Sequence, residues 1–135
     1  MVQESDDERY AAGREVFVRM WGDEAITRFE SNVEMLSPDL LRFIMEFVAA
    51  DVWSRGCLDG RTRSLVTVAV LGTLGRNKQL AEHVEGALNN GASEDEIVEA
   101  LLHLTAYAGF PAAWESIETA RRVFKTRHRR PGKKP

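Results

Sequence analysis

The stretch Arg61–Trp114, RTRSLVTVAVLGTLGRNKQLAEHVEGALNNGASEDEIVEALLHLTAYAGFPAAW, decides the fold. Positions 65–74 are apolar on nearly every side, which predicts a helix buried all round and serving as the hub of the chain. The valines and threonines of this run also suit a strand, but it is too long for one and its neighbours read as helices. From Asn77 to Asn90, Leu80, Val84, Ala87 and Leu88 share one helical face, and Asn90-Gly91 is a left-handed stop. Ser93, with Glu96 three residues on, forms a capping box that opens EIVEALLHLTAYAG. Pro111 starts a last helix, AAWESIETARRVF, since a proline at a helix start gives up no hydrogen bond.

Upstream, Ser37-Pro38 opens DLLRFIMEFVAADVWSRG, whose Leu40, Leu41, Phe43, Ile44, Phe47, Val48 and Val52 predict one helix with a wide apolar face, ended by Gly56. Asp59 is placed to cap the hub helix. At the start, Ser5 and Glu8 form another capping box. Tyr10, Val16, Phe17 and Met20 then recur at helical spacing until Gly22. Residues 23–35 carry a weaker pattern (Ile26, Phe29, Val33) that fits a short helix or an irregular connection. Neither strand signals nor a 20–50-residue repeat is present. The fold class is all-α, about six helices.

A chain of 135 residues is one domain by size and long enough to bury a core. The boundaries that follow are a helical domain over 1–124 and a basic, disordered tail over 125–135. After Ala120 there are eight cations and no acid, so a net charge of −3 leaves −11 on the rest. A basic end on an acidic body suits nucleic acid, a membrane or another subunit. No aromatics interleave the cations, which argues against a single-strand stacking platform. The acidic opening MVQESDDERY is no signal peptide, and no run of about 18 apolar residues spans a membrane. The single cysteine, Cys57, excludes an internal disulfide and a CxxC pair, and fits a cytoplasmic location.

For chemistry, Arg76 and His83 lie seven residues apart, about 20° short of two helical turns, and both border the face of Leu80 and Val84. A cation and an imidazole on the rim of a buried face can hold an anion beside a proton donor. Arg63, in the first turn of the hub helix, adds charge where the helix dipole also favours an anion. The plainer reading stays open: His83 packs at a helix interface and the arginines pair with carboxylates. His103 reads as a core or interface residue within its helix, and His128 as part of the tail. Trp53, Tyr107 and Trp114 could wall an apolar pocket or simply belong to the core. Scattered histidines, with no HExxH and no paired carboxylates, give no metal site.

The order W-S-R (53–55), L-D-x-R-T-R-S-L-V-T (58–67), L-G-R (74–76), H-V-x-G-A-x-x-N-G (83–91), D-E-I-x-E-x-L (95–101) and G-F-P-A-A (109–113) resembles the carboxymuconolactone decarboxylase family. The likeness runs over residues 9–124, is dense over 51–113, and follows the 4-carboxymuconolactone decarboxylase branch of the AhpD-like superfamily. The AhpD-like thiol peroxidases of the other branch carry CxxC where this chain has Arg76 and Gln79, and their acidic relay falls on Ser64. Without thiols, disulfide exchange has no nucleophile.

The resemblance implies a cofactor-free carboxy-lyase acting on 4-carboxymuconolactone or a related acidic lactone of the β-ketoadipate type of aromatic degradation. It implies His83 as proton donor and Arg63 and Arg76 as anion and oxyanion holders. Asp51, Trp53, Tyr107 and Trp114 would lie on the substrate side, with Asp51 orienting a partner. It also implies a small acidic lactone as the ligand and a homo-oligomer, commonly a hexamer, with no nucleic-acid or membrane partner. The chain departs from the family at Gly56-Cys57, where R-P-G-L is usual before the hub helix. It departs again at Trp114 and Glu118, where a small polar residue and a histidine are common. A divergent small-molecule-binding or accessory protein on the same fold is the alternative.

Overall fold

The computed structural model describes residues 5–132, and the chain packs as two compact units, Met1–Asp59 and Gly60–Pro135. Among the described residues there are helices and no strand.

In the first unit, α1 (Asp6–Trp21) starts on the expected capping box. The Ser5 N–H donates to Glu8 Oε2 at 2.9 Å, and the Glu8 N–H donates to Ser5 Oγ at 3.2 Å. It ends at Gly22, whose φ of 89° is open to glycine and strained for other residues. Gly13, Val16, Phe17 and Met20 form its buried stripe. The weakly patterned segment is a helix, α2 (Asp23–Leu36). Arg14 of α1 holds it with Nε on Glu30 at 2.7 Å, Nη1 on Asp23 at 2.9 Å and Nη2 on Thr27 at 3.0 Å.

Ser37 caps α3 (Pro38–Phe43) as expected, accepting from the Leu40 N–H at 3.2 Å. The long helix predicted to follow is not uniform. Ile44–Trp53 is a π-helical segment, with backbone bonds closing over five residues instead of four. Met45, Glu46 and Ala49 are buried in it, against α1.

The second unit begins with α4 (Gly60–Leu74), followed by α5 (Asn77–Asn89). Gly75, at φ 69°, turns the chain between them, and the Arg76 N–H returns to the Leu71 carbonyl at 3.0 Å. The stop at Asn90-Gly91 is present, with Gly91 at φ 96°. The Asn90 side-chain amide donates to Ser64 Oγ at 3.0 Å and to the Gly60 carbonyl at 3.4 Å. The end of α5 therefore lies beside the start of α4, and the two form an antiparallel hairpin.

The second predicted capping box opens α6 (Glu94–Leu102); α7 (Leu104–Tyr107) and α8 (Phe110–His128) follow. Val68, Leu80, Val84, Ile97, Leu101, Ala113 and Phe124 make up much of the core of this unit.

Two expectations change here. α4 is not buried all round: Ser64, Val68 and Gly72 form one buried stripe, while Val66 and Val70 are each 50% exposed and Leu74 63%. Its apolar residues encircle the helix, but its neighbours in the unit pack on one side. The tail boundary at residue 124 falls inside α8, which runs four residues further to His128. There Arg127 donates to Glu85 at 3.0 Å and Asn89 at 2.9 Å, Arg130 to Glu85 at 2.7 Å, and His128 meets Glu94. Lys133 and Lys134 lie outside the described residues. Among those described, no helix is long and apolar enough to cross a membrane.

Candidate active site

The α4–α5 hairpin carries three of the expected site residues. His83 is the middle residue of α5, about 9 Å of helix rise from either end. It borders the buried stripe of Leu80, Val84 and Ala87 and is itself half-buried. Burial disfavours the charged imidazolium and lowers its pKa from 6.5 to about 4. At neutral pH the ring is uncharged.

Arg76 is exposed at the cap of α5, outside the helical turn, with φ −86° and ψ 68°. The helical-wheel alignment with His83 therefore does not apply to it. It sits instead at the positive end of α5, where its charge adds to the helix dipole. Arg63 is half-buried near the start of α4, with its carbonyl accepting from Thr67 Oγ1 at 2.9 Å. Roughly 16 Å of helix rise separates it from the end of α4, beyond which Arg76 lies. The hairpin thus has an arginine near each end and a neutral imidazole midway.

Arg61, two residues before Arg63, has a structural task. Its guanidinium forks onto Glu96, with Nε on Oε2 at 3.1 Å and a second nitrogen on Oε1. Glu96 also accepts from the Ser93 N–H at 2.9 Å, completing the cap of α6. Arg61 first, and that N–H second, hold the carboxyl below its ordinary range.

Tyr107 and Trp114 belong to the same unit but not to its core. Tyr107 ends α7 at 83% exposure, with its ring centroid 5.3 Å from that of His103. His103 is exposed at the break between α6 and α7, not inside a helix as expected. Trp114 is 69% exposed on α8, and its indole N–H donates to Glu118 at 2.6 Å. Two of the residues that depart from the family pattern, Trp114 and Glu118, are thus bonded to each other one helical turn apart.

Asp51 and Trp53 lie in the π-helical segment of the first unit. Asp51 accepts from Arg9 Nη2 at 2.6 Å. Trp53 is half-buried against the first unit's core. Sequence reasoning missed the group around Asp51. Glu46, whose side chain is 8% exposed, lies 3.8 Å from both Arg9 Nη1 and Arg42 Nη1. The signal available was a lone carboxylate inside the apolar run IMEFVAA. Among the described residues no group of three or more histidines, cysteines or carboxylates could hold a metal ion.

The model of the carboxymuconolactone decarboxylase family matches residues 38–122. Over 121 residues, 90% of each chain, the protein is 40% identical to the 4-carboxymuconolactone decarboxylase of Acinetobacter baylyi. It is 36% identical to the nitrosuccinic acid decarboxylase of Metarhizium robertsii over 98 residues, 71% of this chain and 67% of the relative. It is also 30% identical over 103 residues to an uncharacterized 15.0 kDa protein of Paracoccus denitrificans, covering 74% of this chain and 77% of that one.

Proposed function

The chain belongs to the carboxymuconolactone decarboxylase family, and from that premise we propose that it decarboxylates 4-carboxymuconolactone or a closely related acidic lactone, without a cofactor, in the cytoplasm. The observation that carries this reading is the likeness to a 4-carboxymuconolactone decarboxylase along nine tenths of both chains. The hairpin supplies chemistry of the required kind.

The reaction breaks the bond between the ring carbon γ to the lactone carbonyl and its carboxylate. Carbon dioxide leaves, and the electron pair runs across the double bond to the carbonyl oxygen as a dienolate. A proton must then reach the α-carbon. Cations stabilise the oxyanion as it develops and clamp the second carboxylate of the substrate. Arg63 and Arg76 take these two roles, one from each end of the hairpin, and His83 delivers the proton. Before substrate binds, His83 is neutral. The negative charges of the substrate favour its protonated form, so binding makes the acid. Asp51 and Trp53 in the first unit, and Tyr107 and Trp114 in the second, are the further residues assigned to substrate binding, in a homo-oligomer.

The test is carbon dioxide release from 4-carboxymuconolactone by the purified protein. Turnover by wild type with at least a hundredfold lower kcat in His83→Ala supports the reading. A His83→Ala enzyme within a few-fold of wild type removes the proton-donor role. No turnover by folded wild type at high concentration favours a binding or accessory protein on this fold.

A further inference from the structure

We infer that Arg9 is a positioning residue that locks the segment Ile44–Trp53 in its π-helical register and thereby fixes how Asp51 and Trp53 are presented. The inference rests, for its catalytic consequence, on the reading above that places those two residues on the substrate side.

One guanidinium meets two carboxylates of the segment: Nη2 donates to Asp51 at 2.6 Å, and Nη1 lies 3.8 Å from Glu46. Residues 46 and 51 are five apart. In an α-helix five residues turn the chain by about 500°, leaving the two side chains roughly 140° apart around the axis. A wider turn that bonds over five residues returns the fifth residue close to the same side. A single guanidinium hydrogen-bonded to Asp51 and within ion-pair reach of Glu46 therefore favours the π register over the α register.

The second contact on the same face of α1 has the same effect. Gly13 is one turn after Arg9, and a Cβ built on it would lie 1.9 Å from the Met45 carbonyl oxygen and 3.1 Å from Ala49 Cβ. The missing side chain lets α1 lie directly on the backbone of the π turn. Glu46 is nearly buried, so its charge is compensated only while Arg9 and Arg42 stay beside it. A return to α geometry would carry Asp51 away from Arg9 and rotate Trp53 with it. Arg9 thus holds the wider turn.

The experiment compares amide hydrogen exchange in the full chain for wild type, Arg9→Gln, Arg9→Lys and Asp51→Asn. Arg28→Gln, which removes an exposed pair on α2, serves as control. In Arg9→Gln, exchange across residues 44–53 should rise about tenfold or more, while 60–89 keep wild-type protection. Arg9→Lys should fall between, because an ammonium can hold Asp51 but lacks the second nitrogen that faces Glu46. Asp51→Asn keeps Arg9 in place and supplies the comparison if Arg9→Gln does not fold. Exchange across 44–53 unchanged in Arg9→Lys and Asp51→Asn, or a crystal structure of Arg9→Gln with the π turn intact, overturns the inference.

Kinetics separate it from the reading on which it rests. A KM for 4-carboxymuconolactone raised about fivefold or more, with kcat within two- to threefold, supports positioning of substrate groups. Faster exchange with KM unchanged leaves the register assignment standing and removes Asp51 and Trp53 from the substrate side.

Discussion

His83 is the residue where burial and the proposed chemistry meet. Its folded-state pKa of about 4 lies below the 6.5 of an ordinary histidine because the ring is desolvated. Between these values the unfolded chain binds the proton and the folded chain does not, so stability rises with pH through that window. The contribution is fully present above pH 6.5 and is lost as pH falls towards 4, on the order of 3 kcal/mol in all. Urea unfolding from pH 7.5 to 4.5 should therefore show a steeper loss of stability for wild type than for His83→Gln. Parallel pH curves for the two proteins would mean that the ring is not desolvated as described. The same burial makes a second expectation at this position. An anionic substrate analogue bound at pH 6 should carry a proton onto the enzyme, seen as a binding enthalpy that varies with the ionisation enthalpy of the buffer. His83→Gln should abolish that dependence; a buffer-independent enthalpy in wild type would sink the idea that the substrate makes the acid.

Helices meet through glycine in both units, and the two contacts differ in what a methyl group would strike. At Gly13 the obstacle is backbone, the Met45 carbonyl, which cannot rotate aside. At Gly72 on α4 the nearest atoms are Ser116 Oγ at 2.7 Å, Leu104 Cδ1 at 2.9 Å and Leu101 Cδ2 at 3.2 Å, all on side chains. Alanine gains about 1 kcal/mol over glycine as a helix former, which offsets part of the smaller clash only. Gly13→Ala should cost about 3 kcal/mol or more, and Gly72→Ala about 1–2 kcal/mol, read from urea midpoints at unchanged slope. A Gly13→Ala protein as stable as Gly72→Ala would show that α1 does not rest on the π turn. This contact also shows where reading the sequence stops. The caps at Ser5, Ser37 and Ser93 and the stops at Gly22 and Gly91 are local chemistry, and all are where their residues predict. The π register is not local. The pattern IMEFVAADVW suits an α-helix equally well, and the residues bound up with its wider turn, Arg9 and Gly13, lie more than thirty positions upstream. The candidate site residues divide in the same way. The border position of His83 follows from the spacing of Leu80, Val84 and Ala87, whereas the pairing of Asp51 with Arg9 spans 42 residues and leaves no periodic trace.

Across the whole molecule the charge is unevenly laid out, and the structure gives part of the basic end a task. Eight cations after Ala120 suggest a solvated tail. Two of them, Arg127 and Arg130, instead converge on Glu85, whose side chain is 17% exposed, two residues from His83 on α5. Ending the chain at Phe124 would remove both arginines, leave a half-buried carboxylate without them, and bare the last turn of α8 beside a core residue. Exposed ion pairs contribute little, about 0–1 kcal/mol each, but this carboxylate is only slightly exposed and carries two donors. The truncated protein should lose about 1–3 kcal/mol, a fall in Tm of roughly 4–10 °C. Arg129→Gln should stay within about 0.5 kcal/mol of wild type, as surface substitutions usually do. Because the attraction is between charges near the surface, raising ionic strength should narrow the gap between full-length and truncated chains. Thermal unfolding at low and high salt measures both effects. If the truncated chain melts within a degree of wild type at low salt, the contacts to Glu85 add nothing, and residues 125–135 act as the solvated tail that composition alone suggests.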